Sequence, residues 1–117
     1  MIDYHSTLVA ALNTILPTHY EMALTSQTAT PCITYIERDN RATESGDTIG
    51  YSRLIYTVKV WGDDVAVLQG YAQRIDATLR PLGFKRISSN ELYNNQTGLI
   101  QKILAYEAIA MEEYNNG

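Results

Sequence analysis

The sequence has one cysteine, Cys32, in 117 residues. An internal disulfide is therefore excluded. It has two histidines, His5 and His19, both far in sequence from Cys32. No CxxC, HxxxH or carboxylate–histidine spacing occurs, so no metal site is expected. Walker A and GxGxxG motifs are missing, which removes the common phosphate and dinucleotide cradles. Asp76, Glu91 and Glu107 are the only carboxylates that suggest an acid/base pair, and nothing in their spacing demands one. With no nucleophile–base constellation, the expectation is no catalytic residue, no cofactor and no enzyme activity.

Long apolar runs are also missing. None approaches the roughly 20 residues that a membrane-spanning helix needs. The stretch "MIDYHSTLVAAL" lacks the basic start and unbroken apolar core of a signal peptide. The expectation is a reducing cytoplasm, where the "NQT" at 95 to 97 is no glycosylation site. Positive charge is scarce. Nine Lys and Arg face 13 Asp and Glu, for a net charge of −4. Tight non-specific binding to nucleic acid depends on a basic surface and is disfavoured.

Tyrosine, by contrast, is abundant: nine, against one Phe and one Trp. Its apolar body and polar tip suit surfaces that become buried on association, and equally suit half-buried strands. Apolar spacing predicts a helix over 3–16, with Tyr4, Leu8, Ala11, Leu12 and Ile15 on one face and Pro17 as its stop. "HYEMAL" (19–24) reads as a short strand and "CITYIE" (32–37) as a longer one. "IGYSRLIYTVKVW" (49–61) alternates clearly. Ser52, Leu54, Tyr56, Val58 and Val60 share one face. Tyr51, Arg53, Ile55, Thr57, Lys59 and Trp61 share the other.

Next comes an amphipathic helix capped by Asp63 or Asp64. Its stripe is Val65, Leu68, Ala72, Ile75 and Leu79, and Pro81 and Gly83 end it. Two strands, 84–93 and 99–111, flank an "NNQTG" turn. The order α-β-β-β-α-β-β gives an α+β fold, a mainly antiparallel sheet with both helices on one face. One domain spans 1–111, and 112–117 is expected to fray. The expected core joins Leu8, Leu12 and Ile15 to the helix stripe and to Leu54, Tyr56, Val58 and Val60.

Two features go beyond the fold. The last strand is apolar on both faces: Ile100, Leu104, Tyr106 and Ala108 on one, Leu99, Ile103, Ala105 and Ile109 on the other. Helices on one side leave the second face needing a cover, and a neighbouring subunit is the simplest one. The other feature is "RDNRATESGD" (38–47), read as a long charged loop where the usual length is about four to six residues. As a calcium loop it fails, because Arg41 sits where an oxygen ligand is required. Its Arg38, Asp39, Asn40, Arg41, Glu44 and Asp47 are candidates for charged contacts with a partner. Tyr51, Arg53 and Trp61 on the adjoining strand face, with Ile103 and Ile109, complete the candidate set.

The succession "ITYIERDN", "IGYSRLIYTVKVW", "RIDATLRPLGFKR", "ELY" and "QKILAYEAI" resembles the small tail terminator, or tail-completion, proteins of long-tailed bacteriophages. The resemblance covers roughly residues 2–110 and rests on the placement of strands, helix and "GF". It implies a hexameric ring at the head-proximal end of the tail. Such a ring stops growth of the tube and presents a docking surface to the head connector. The implied partners are other copies of the chain, the tail tube protein and the connector, with DNA passing through the hole. The implied location is the virion neck, after assembly in the host cytoplasm. Contacts in that family lie on loops and strand faces, so no fixed motif carries over. The alternative is a small ligand-binding or enzymatic α+β domain, monomeric or dimeric, with its ligand against Tyr51, Arg53 and Trp61.

Overall fold

The computed structural model describes residues 3–21, 29–44, 49–93, 95 and 98–113; for 41–44, 49–51 and 110–113 it describes the backbone alone. The fold is α+β: α1 (Tyr4–Asn13), β1 (Thr18–Tyr20), β2 (Cys32–Glu44), β3 (Ile49–Gly62), α2 (Val65–Leu79), β4 (Lys85–Tyr93) and β5 (Ile100–Glu113). The strands form one sheet in the order β1-β2-β3-β5-β4. Only the β1–β2 pair is parallel.

Each helix starts where a carboxylate meets orphan backbone donors. Asp3 accepts from the Ser6 amide at 3.1 Å and from its hydroxyl at 2.8 Å. Asp64 accepts from the amides of Ala66 and Val67. The first helix stops at Asn13, short of the expected residue 16. The residue before Pro17 avoids the α region. Asn13 also turns its side chain to the chain's exit, accepting from the Thr18 amide at 3.2 Å. Beyond α2, a 3-10 turn at Arg80–Leu82 ends on Gly83. That residue has φ 97°, and a Cβ there would meet the Tyr4 hydroxyl at 3.3 Å, so glycine is required twice over.

The core lies between this helix layer and one face of the sheet. Leu8, Leu12, Leu68, Ile75, Leu79, Val58, Val60 and Leu104 are fully buried, and Tyr56, Phe84 and Tyr106 are nearly so. Phe84 follows the Gly83 turn and packs edge-on between Tyr4 and Tyr56, with centroids 5.4 and 6.2 Å away. Ile15, expected in the core, is half-buried at its margin. Val65, also expected there, is 44% exposed. It is the first residue of the helix, one turn ahead of the buried Leu68–Ala72–Ile75–Leu79 stripe.

The charged segment 38–47 is the largest departure from expectation. Its first seven residues are strand, not loop. β2 runs on through Glu44, pairing Asp39 with Ile55 and Glu44 with Gly50. The core reaches along the sheet only to Leu54 and Ala108. Past that point β2 stays in the sheet through its pairing with β3. The turn residues, 45–48, lie outside the described residues. β5 likewise continues to Glu113, two residues past the expected domain edge, pairing Glu112 with Gly50 and Glu113 with Ile49.

Beyond the core, therefore, β2, β3 and β5 continue as a three-stranded arm. Five residues of β3 extend past Leu54, about 17 Å at about 3.4 Å each. The overall extents are 54 × 25 × 22 Å and the radius of gyration is 16.0 Å. A compact chain of this length would have about 13 Å.

Leu68→Ala or Ile75→Ala should destabilise the protein by about 2 to 5 kcal/mol, because each opens a cavity in a closed core. Urea unfolding measures it, and a cost below about 1 kcal/mol would contradict the packing described.

Burial pushes the Tyr56 hydroxyl up from 10.0 to about 12. Burial and the Asp76 hydrogen bond raise Tyr106 as well. A pKa raised on folding adds stability that is intact below the unfolded value and lost as pH rises through the folded one. Stability should therefore fall above pH 10. These two tyrosinates should appear in ultraviolet absorbance only with unfolding.

Candidate interaction surface

The sheet face opposite the helices carries most of the candidate residues. Period-two alternation along β3 puts Arg53, Ile55, Thr57, Lys59 and Trp61 on this outer face. Ile109, Glu107, Ala105, Ile103 and Gln101 of β5 lie across from them in that order. On β2 a bulge at Arg38 changes the phase, so Thr34 and Ile36 precede it on this face and Asp39 follows.

One end of this face is sealed by long polar side chains lying over threonines. The Trp61 indole donates to Thr34 Oγ1 at 2.8 Å, and Arg38 Nε donates to Thr57 Oγ1 at 3.3 Å. Both threonines are buried. Lys59 Nζ contacts Glu21 at 2.5 Å and sits 5.8 Å from the Trp61 ring centroid. The arrangement satisfies polar groups that one-sided helix packing would leave bare.

Across the ladder from Lys59 and Thr57, Ile103 and Ala105 are half-buried, and at the other end Ile109 is 49% exposed. Among the described residues both helices lie on the opposite face. Arg53, in register with Ile109, turns to Glu107 at 2.9 Å. That hydrogen bond holds the Glu107 carboxyl below its ordinary 4.5 and raises Arg53.

The structure thus brings Arg38, Asp39, Arg53, Trp61, Ile103 and Ile109 onto one face. Asn40 is exposed and pairs with Leu54, a core residue, in the other phase of the ladder. Arg41 and Tyr51 pair with Arg53 and Thr43 along the arm, and Glu44 pairs with Gly50 at its end. Asp47 lies outside the described residues.

Tyrosine divides between two roles. Tyr4, Tyr56 and Tyr106 are core residues, Tyr35 and Tyr71 border the core, and Tyr20 and Tyr93 are exposed. Cys32 is fully buried, and burial raises its thiol.

β4 forms one edge of the sheet, and every residue in it is exposed, Leu92 at 56% and Tyr93 at 63% among them. Between its start and the end of α2 opens a cleft of about 440 Å³. Asp76, Arg80, Lys85, Arg86 and Tyr106 line it. The Tyr106 hydroxyl donates to Asp76 Oδ1, and Arg86 contacts Asp76 Oδ2 at 2.9 Å. Sequence reasoning passed over this cluster, although its signal was present. Arg80, Lys85 and Arg86 are a third of the nine cations, gathered within seven residues.

No protein-family model matches the chain, and no curated protein matches it.

Because the folded Glu107 carboxyl is depressed, its contribution is present above about pH 4.5 and lost as pH falls through the lowered value. Glu107→Gln should therefore be less stable than the parent at neutral pH. The two should converge in acid. Urea midpoints across that range test the sign, and a constant difference would assign the effect to packing.

Proposed function

We propose that this chain is a structural assembly protein, the tail terminator of a long-tailed bacteriophage. Six copies would close a ring on the head-proximal end of the tail tube and join it to the connector, with DNA passing through the hole. The phage context rests on the resemblance in strand, helix and "GF" order. The single observation that supports assembly is a sheet that outruns its own helix layer. It leaves a three-stranded arm and, on the outer face, Ile103, Ala105 and Ile109 half-covered or bare. Apolar residues of this kind mark contact surfaces when they cluster. The acidic balance suits a channel that must pass DNA without holding it.

The purified protein should sediment as a hexamer and show six-membered rings by electron microscopy. Ile109→Glu should fold as the parent does, since the side chain is already half exposed, yet assemble poorly. Ile103→Glu should behave alike, because a carboxylate buried without a partner is costly at an interface. Assembly unchanged in both variants would remove the outer face from the contact. A parent that remains monomeric at every concentration would overturn the ring.

A further inference from the structure

The cleft beside β4 has a charge imbalance that the protein does not resolve by itself. Asp76 is already matched by Arg86 and by the Tyr106 hydroxyl. Arg80 is exposed and makes no ion pair among the described residues. Lys85 stands opposite Glu107 in the ladder and shares the attraction of that carboxylate with Arg53. The cleft therefore gathers three cations, Arg80, Lys85 and Arg86, around the single carboxylate of Asp76, on a chain whose net charge is −4. Phe84 and Tyr106 give it apolar walls, which lower the local dielectric and strengthen attraction to an anion.

The arm has the opposite imbalance. At its end Glu44 and Glu112 flank Gly50 across three strands, and Glu113 pairs with Ile49. Arg41 is the only cation along 41–51 and 110–113. We propose that the Arg80–Lys85 cleft of one copy receives the acidic end of the β2–β3–β5 arm of the next. The charges complement, and the ladder decides that the contact is between copies. Tyr106, which pairs with Arg86 at the cleft, and Glu112, at the arm's end, lie on the same strand. Six residues of unbroken ladder separate them, about 20 Å at about 3.4 Å each. A copy cannot fold its arm back into its own cleft. Different patches meet, so the contact repeats from copy to copy until it closes, and in the ring reading it is heterologous. This inference rests on the ring reading and supplies one of its joints.

Two charge-reversed variants test it. In one, Arg80→Glu and Lys85→Glu make the cleft acidic; Arg86 is left to hold Asp76. In the other, Glu112→Lys and Glu113→Lys make the arm basic. All four changes are on the surface or at the arm's end; circular dichroism melts should match the parent for the arm variant and lie slightly lower for the cleft variant, where Lys85→Glu faces Glu107. Each variant alone sets like charges together and should self-associate at least about a hundredfold more weakly. Mixed in equal amounts, the basic arm meets the acidic cleft and the acidic arm meets the basic cleft. The parent's oligomer should return in sedimentation.

Either variant assembling alone as the parent does would overturn the joint and leave the ring standing. Weakened variants that fail to restore each other would also overturn it. A parent that never exceeds a monomer would remove both joint and ring, whereas a closed dimer restored by mixing would keep the joint and remove the ring of six. Inorganic phosphate that binds the parent's cleft without weakening assembly would assign the cleft to a free anion instead.

Discussion

The β3–β5 ladder is the constraint on which the rest of the molecule depends. Ile49–Gly62 lies against Ile100–Glu113 in register from end to end, without a bulge. β2 attaches on one side and β4 on the other, and each of those pairings does contain a bulge. The regular pair sets the length of the molecule, and the irregular pairs adapt to it. Helices cover only part of that length. The apolar core accompanies the ladder only as far as Leu54 and Ala108.

That division explains what was legible in the residues. Over the core half, burial forces a pattern. Leu54, Tyr56, Val58 and Val60 alternate, and Leu68, Ala72, Ile75 and Leu79 recur at helical spacing. Both patterns are visible in the letters and are buried as expected. Over the arm, the letters of β2 show no apolar alternation. "RDNRATE" therefore looked like a loop although it is strand through Glu44. Phe84 was assigned to a strand, because only the Gly83 turn, a tertiary feature, swings it between Tyr4 and Tyr56. Val65 fitted the helical stripe in phase but not in position along the axis.

The candidate surface was readable in a similar way. The two-faced apolar pattern of β5 identified Ile103 and Ile109, and alternation along β3 identified Arg53 and Trp61. Spacing could not reveal that Trp61 and Arg38 fold down onto Thr34 and Thr57. Those bonds join residues on different strands, so they exist only once the sheet does. The cleft depended on the same step. Arg80 and Arg86 are near neighbours in sequence, but their relation to Asp76 and Tyr106 is made by packing α2 against β5.

The strand order has a bearing on how the sheet comes together. β5 is the last strand in sequence, yet it lies between β3 and β4. Its pairs with β3 join residues as far apart as Ile49 and Glu113. Contacts between positions so distant close large loops before any gain is made, which slows folding. Until residues 100–113 are in place, β4 has no neighbour in the sheet and β3 has one open side. Both are the kind of unpaired edge that invites wrong partners. A ribosome moving along this message would thus leave the slot between β3 and β4 vacant until residues 100–113 have emerged.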